Sequence, residues 1–393
     1  MPSFKTEQDA GGKLLLTNIF PEAAICSVYF LVIWGLFFRF VSEGEPIDWP
    51  YHVLFALDPE RQIPPNFMLH MMFRTIGGGF VQQALIAAAA KTALIVIVAR
   101  GFFHTGQPFH FDSRKAMLVA YAMAIMVSLA MPVFWLSADP RPYLGKFSPN
   151  VAHNPTYILM APFMAALWWM FTRRVLSTRP VTAGWLAAFA LLSVATALAK
   201  PSFHLAFIAT AGIVCVWALV NRRHGVFGLM FIGAAIALPI GLEMLAMSGV
   251  GPVQWDQSHF VVAPFVALGK HVKDPVGALI SSLLFPLLIV LAVARKPGSS
   301  ACFWLGWILF GFAMLVAILF GEEGRRMAHA NFYWGVYGAV LLLFIEGGAL
   351  LVRRWEQGLS SAIGWVCAAV LAVHAGFGLL YHVRIALGAD PLA

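Results

Sequence analysis

Asp48 and His52 stand four residues apart in the segment GEPIDWPYHVLFALDPERQIPPN, residues 44–66. A carboxylate close to a proton partner is the pairing that general base chemistry uses. Only 18 of the 393 residues are acidic, yet Glu45, Asp48, Asp58 and Glu60 fall in this segment and Glu43 just before it. Pro50 suits a first helical position. That predicts a helix from Pro50, with Asp48 at or next to its N-cap and His52 in its first turn. A plain N-cap in a solvated loop would account for Asp48 as well. The following IPPNFMLHMMFRT has an apolar part of about ten residues, too short to span a bilayer, with His70 and Arg74 inside it. It predicts a helix lying in the membrane interface, either lining a cavity or serving only as an anchor.

Three later stretches carry related chemistry. In SADPRPYLGKFSPNVAHNPTYILMAP, His153 and Asn154 precede Pro155, and so stand at a helix N-terminus where free N–H groups favour an anion. Asn154 also reads as the cap of that helix. In ALAKPSFHLAF, Lys200 separates two apolar runs and precedes a helix starting near Pro201. It either meets an anion or snorkels to the membrane edge. In FGEEGRRMAHANFYWG, Arg325 and Arg326 suit a phosphate or pyrophosphate, or they pair with Glu322 and Glu323. His329 and Asn331 echo the His–Asn arrangement at 153 and 154. Lys91, Glu243 and Glu346 fall inside apolar runs without an assigned role, and His374 reads as a packing residue. The outer carboxylates leave room for a divalent cation, magnesium or manganese, but no compact ligand spacing calls for one.

The elements that position these residues are apolar helices. The chain is 60% hydrophobic and 11% charged, against roughly 25% charged for a soluble domain. About eleven runs are long enough to cross a bilayer: 22–41, 80–99, 115–136, 155–172, 182–199, 202–220, 226–246, 276–294, 301–320, 332–352 and 361–383. The fold class is therefore an all-α polytopic bundle. It forms a single transmembrane domain over 1–393 with no separate soluble domain, and the first run reads as a retained helix rather than a signal peptide. Basic residues such as Arg100, Arg173, Arg174, Arg222, Arg223, Arg353 and Arg354 cluster in the short turns on one side. The positive-inside rule makes that side cytoplasmic, with the N-terminus inside and the C-terminus outside. The longer, acid- and histidine-bearing loops then share the outer face. The net charge of +8 follows this topology and does not indicate a nucleic-acid partner. Cys26, Cys215, Cys302 and Cys367 lie scattered through apolar segments without metal spacing, which predicts free thiols.

This pattern resembles the GT-C superfamily of membrane glycosyltransferases. The features that carry the resemblance are IDWPYH, IPPNFMLHMMF, HNPTYILMAPF, ALAKPSF and EEGRRMAHANFYWG, spread over residues 40–335. The resemblance implies transfer of a sugar from a polyprenyl-phosphate donor to a glycan, lipid or protein acceptor. It also implies inversion at the anomeric carbon, with a first-loop carboxylate as base. Carried onto this chain, Asp48 matches that carboxylate, and His52 orients carboxylate or phosphate. Lys200, Arg325 and Arg326 meet the lipid phosphate. His153, Asn154, His329 and Asn331 complete the substrate contacts. Trp49 follows Asp48 where the commonest pattern has a second acid. The implied location is a bacterial inner membrane with the site facing the periplasm. Two other readings stay open: a lipid-linked polysaccharide polymerase or ligase, and a lipid or sugar transporter or flippase, for which Lys91 is the main support.

Overall fold

The computed structural model describes residues 5–44, 47–58, 67–103, 114–143, 145–247, 260–294, 301–356 and 362–392, and only the backbone at 5–19, 244, 246–247, 293–294, 325–326, 328 and 356. The chain opens with α1 (Lys5–Glu43), followed by the short α2 (Asp48–Leu57) and α3 (Met68–Ile76). Then come α4 (Phe80–Ile97), which continues as a π-helical turn to Phe102, α5 (Arg114–Leu129), α6 (Pro155–Val175), α7 (Ala183–Ala199), α8 (Ser202–Val220) and α9 (Val226–Met247). Strand β1 (Phe260–Val262) and the short α10 (Val266–His271) precede α11 (Pro275–Ile289) and α12 (Ala301–Leu319). Strand β2 (Phe320–Glu322) leads through a 3₁₀ turn at Gly324–His329 to α13 (Tyr333–Glu356) and α14 (Ala362–Ala386).

A helix overlaps each of the eleven predicted runs. Eight of these helices are long and apolar enough to cross a membrane by length and composition. α7 is apolar but shorter, and α5 and α6 fall outside that set. The helix starts are written locally. Asn154, Thr182 and Asp274 cap α6, α7 and α11 by accepting N–H bonds from Tyr157, Trp185 and Gly277. Pro155 and Pro275 follow two of these caps.

α13 is the core. Residues 333–352 are buried throughout, and the helix packs against α5, α6, α8, α11, α12 and α14. Glu346 at its middle accepts a 3.0 Å bond from Trp168 Nε1 of α6. The four cysteines are free. At the basic end Arg100 forms a two-pronged ion pair with Glu22, which also accepts from the Tyr121 hydroxyl. Arg223 and His224 donate to carbonyls at the end of α6 and just beyond it, tying two basic turns together.

Two features depart from the sequence reading. The predicted span 115–136 stops early, because α5 ends at Leu129. The chain then leaves α-helical geometry, makes a 3₁₀ turn at Phe134–Leu136, and residues 146–154 are all buried without helix or strand. Backbone of that kind survives at depth only when its polar groups find partners. Asn150 Nδ2 serves the carbonyls of Val127 and Ala130 at 3.0 and 2.9 Å. Lys91 Nζ takes that of Ser128 at 3.1 Å. His374 Nδ1–H takes that of Met131 at 2.6 Å, and Met131 N–H returns a bond to the His374 carbonyl. Gly378 of α14 lies so close that a Cβ there would overlap the Leu129 oxygen. The second departure is a small antiparallel ribbon in an otherwise α-helical fold. β1 pairs with β2 in the register Phe260↔Glu322, Val261↔Gly321 and Val262↔Phe320. It stitches two of the longer loops together.

Candidate functional site

The loops that alternation assigns to one end of the bundle converge on a single cavity of about 290 Å³. α2 contributes Asp48, and the buried stretch before α6 contributes Tyr143, His153 and Asn154. His271 comes from α10, His329 and Asn331 from the segment before α13, and Trp334 and Tyr337 from α13 itself. Leu392 closes one wall.

Asp48 is the first residue of α2, two positions ahead of the predicted start at Pro50. Its carboxylate therefore caps nothing. Asn154 Nδ2 donates to Asp48 Oδ2 at 2.7 Å across 106 residues of sequence. Oδ1 makes no hydrogen bond among the described residues. Next to it, buried Trp49 donates from Nε1 to the Ala152 carbonyl at 3.0 Å, pinning α2 to the stretch that carries His153 and Asn154. A second acid at that position could not make this bond.

His52 turns away from Asp48's cavity. Its Nδ1 lies 3.1 Å from His70 Nε2 on α3, and it does not line the cavity. Burial holds His52 down at about 3, and His70 and Lys200 add to the effect. The imidazole beside Asp48 is instead His153, edge-on to Tyr143 at 4.8 Å and near Trp334 at 6.0 Å. Burial lowers it to about 4, against an opposing pull from the Asp48 carboxylate. Both imidazoles are neutral near pH 7. His153 Nδ1 is buried without a hydrogen-bond partner among the described residues.

Lys200 is the C-cap of α7, in extended conformation immediately before α8. It does not snorkel: it is 8% exposed, its Nζ donates to Thr156 Oγ1 at 3.1 Å and stands 4.4 Å from the Trp334 ring centre. Burial lowers it to about 8, while Asp48, Glu243 and Glu322 pull the other way. Asn331 Nδ2 donates to Glu322. Arg325 and Arg326 lie on the 3₁₀ turn, but their side chains fall outside the described residues. The diproline at 64 and 65 likewise lies outside them.

The structure thus brings together Asp48, His153, Asn154, His329 and Asn331 around the cavity, with Lys200 behind Trp334. The sequence reading gave no role to Thr156, Trp334, Tyr337 or His271. Thr156 sits in HNPTY beside the cap, and Trp334 in FYWG at a helix start. Those positions were the available signal. Among the described residues no group of three or more His, Cys, Asp or Glu side chains is placed to hold a metal ion.

A second groove, about 390 Å³ and almost wholly apolar, opens beside α3 and the end of α7. Met68, Met71, Met72 and Ile76 line it together with Leu198, two residues before Lys200. Arg74 of α3 donates to the Ala56 carbonyl at 2.7 Å, so α2 and α3 are joined. The pair exposes Tyr51, Leu54, Leu57, Phe67, Met71 and Ile76.

No protein-family model matches the chain, and no curated protein matches it.

Proposed function

We propose that this chain is a GT-C-type glycosyltransferase crossing the membrane eleven times. It moves a sugar from a polyprenyl-phosphate donor to a hydroxyl of a glycan, lipid or protein acceptor. The cavity end faces outward, toward the periplasm in a bacterial inner membrane. The observation that carries the reading is Asp48: one carboxylate oxygen is fixed by Asn154, and the other is unspent in a cavity at one end of an apolar helical bundle.

In this mechanism the acceptor hydroxyl oxygen attacks the anomeric carbon and gives its proton to Asp48 Oδ1. The bond from that carbon to the donor phosphate oxygen breaks on the opposite face, inverting the centre. The electron pair leaves on the phosphate. Lys200, a buried cation two residues beyond the groove-lining Leu198, offsets that charge, and a low-dielectric setting strengthens its effect. Arg325 and Arg326 are further phosphate ligands in this proposal. Neutral His153 directs the acceptor or donor through hydrogen bonds. The rings of Tyr143, Trp334 and Tyr337 present flat faces to the sugar. The Met-lined groove takes the start of the prenyl chain, since flexible thioethers suit a chain without fixed shape.

The ligase reading rests on a large late outer loop, and here the longest is the first. The transporter reading rests on Lys91, and that amine donates to the buried Ser128 carbonyl in the last turn of α5, which gives it a structural role. The test is transfer by purified protein in vesicles from matched donors. Product from the monophosphate donor supports the proposal. Product only from the diphosphate supports a ligase, and movement across the vesicle without a new glycosidic bond supports a flippase.

A further inference from the structure

Thr156 stands in the first turn of α6, 1% exposed. Its hydroxyl lies between two groups whose hydrogen-bonding roles are fixed. An ammonium can only donate, so Lys200 Nζ, 3.1 Å away, occupies a lone pair of Thr156 Oγ1. The single hydroxyl proton then points the other way, to Asn154 Oδ1 at 2.8 Å. The same Oδ1 accepts the backbone N–H of Tyr157 at 2.9 Å. Two donors therefore identify that atom as oxygen, and the amide NH₂ is obliged to face Asp48 Oδ2 at 2.7 Å. Each link runs in one direction, from Lys200 to Thr156 to Asn154 to Asp48.

We propose that Thr156 is a positioning residue: it transmits the placement of the Lys200 ammonium to the Asp48 carboxylate through the Asn154 amide. This rests on the reading of Asp48 as the base. The chain holds Oδ2 on the protein and leaves Oδ1 to the acceptor hydroxyl. It also joins the cation that would meet the donor phosphate to the carboxylate that would meet the acceptor, without an ion pair between them: no carboxylate lies within 4.0 Å of Lys200 among the described residues. The charged and titratable groups that face Lys200 are Asp48 and His52 of α2, His153 before α6, Glu243 of α9 and Glu322 of β2. The ring of Trp334 fixes it from α13. Thr156 is thus the hydroxyl through which the charge of Lys200 reaches Asn154.

Thr156→Val removes the hydroxyl at nearly constant volume, and Thr156→Ser restores it. Two readouts on full-length protein in nanodiscs separate the chain from its use. The first is the titration of Lys200, followed by Nζ resonance in ¹⁵N-lysine-labelled protein. T156V should move it further below its starting value of about 8, because the ammonium loses its side-chain acceptor, and T156S should return it. The second is transfer from a polyprenyl-phosphate sugar. T156V should lower kcat on the order of 100-fold, as small misplacements of a reacting group do. KM for the donor should hold, and T156S should recover kcat. Thr156→Ala repeats both readouts should the valine variant misfold. Unchanged Lys200 titration and unchanged kcat in T156V and T156A overturn the inference. A shift of Lys200 in T156V, where the wild-type protein itself transfers no sugar, overturns the catalytic reading instead and leaves these hydrogen bonds a structural cap.

Discussion

At the residue scale the site depends on which groups carry charge near neutral pH. Lys200 is held at about 8 by burial, so its positive charge fades as pH rises through that value. Affinity for an anionic donor should fall above pH 8 in a binding titration. Lys200→Arg should flatten that limb, because a guanidinium stays charged. On the acid side His52 and His153 stay neutral down to about 3 and 4. Neither His52 nor His153 should therefore contribute an inflection near 6.5 to the activity profile. The unfolded histidines take up protons first as pH falls, so thermal stability should rise with pH from about 4 to 6.5. Unfolding temperatures measured across that range check the sign. Asp48 was legible in the sequence because an acid in a greasy chain stands out. Its partner was not: a spacing of four suggested His52, whereas the bond comes from Asn154, 106 residues on. Once α2 starts at Asp48, His52 faces α3 and His70.

At the element scale, the long helices followed from apolar runs and caps, since a bilayer demands both length and internal hydrogen bonding. The early end of α5 did not. Ala130 through Leu136 are as apolar as a helix, but Pro132 lacks an N–H and clashes with the preceding turn, and the donors from Asn150, Lys91 and His374 show how the carbonyls freed there are satisfied. Asn150→Leu strands the Ala130 carbonyl and leaves that of Val127 with the Ala130 N–H alone. It should cost about 1–3 kcal/mol for a buried group left without its partner, read as a lowered melting temperature in detergent. The β1–β2 ribbon was equally hidden, since three-residue strands leave no periodicity to read. The α3 groove makes its own prediction. Met71→Trp should fill it and raise KM for a long-chain donor while leaving a short-chain analogue unaffected, as compared by steady-state kinetics.

At the scale of the whole molecule, the alternation of short basic turns and long acidic loops predicts a sidedness, and the loops assigned to one side meet at one cavity. In a variant lacking Cys26, Cys215, Cys302 and Cys367, cysteines at exposed Thr178 and Lys270 should react with an impermeant maleimide from opposite sides. In intact cells Lys270→Cys should label and Thr178→Cys should not. What no run or turn foretold is that the site is assembled from the buried stretch before α6 as much as from the exposed loops. Such a stretch reads as an ordinary loop until its neighbours are known.

The central claim is that Asp48 takes the acceptor proton. The most direct measurement is sugar transfer by Asp48→Asn beside wild type, with donor binding followed in the same samples. The asparagine keeps size and a hydrogen bond to Asn154 but removes the base. The account predicts a folded variant that binds donor normally and forms no product above background. Full transfer by Asp48→Asn would contradict it.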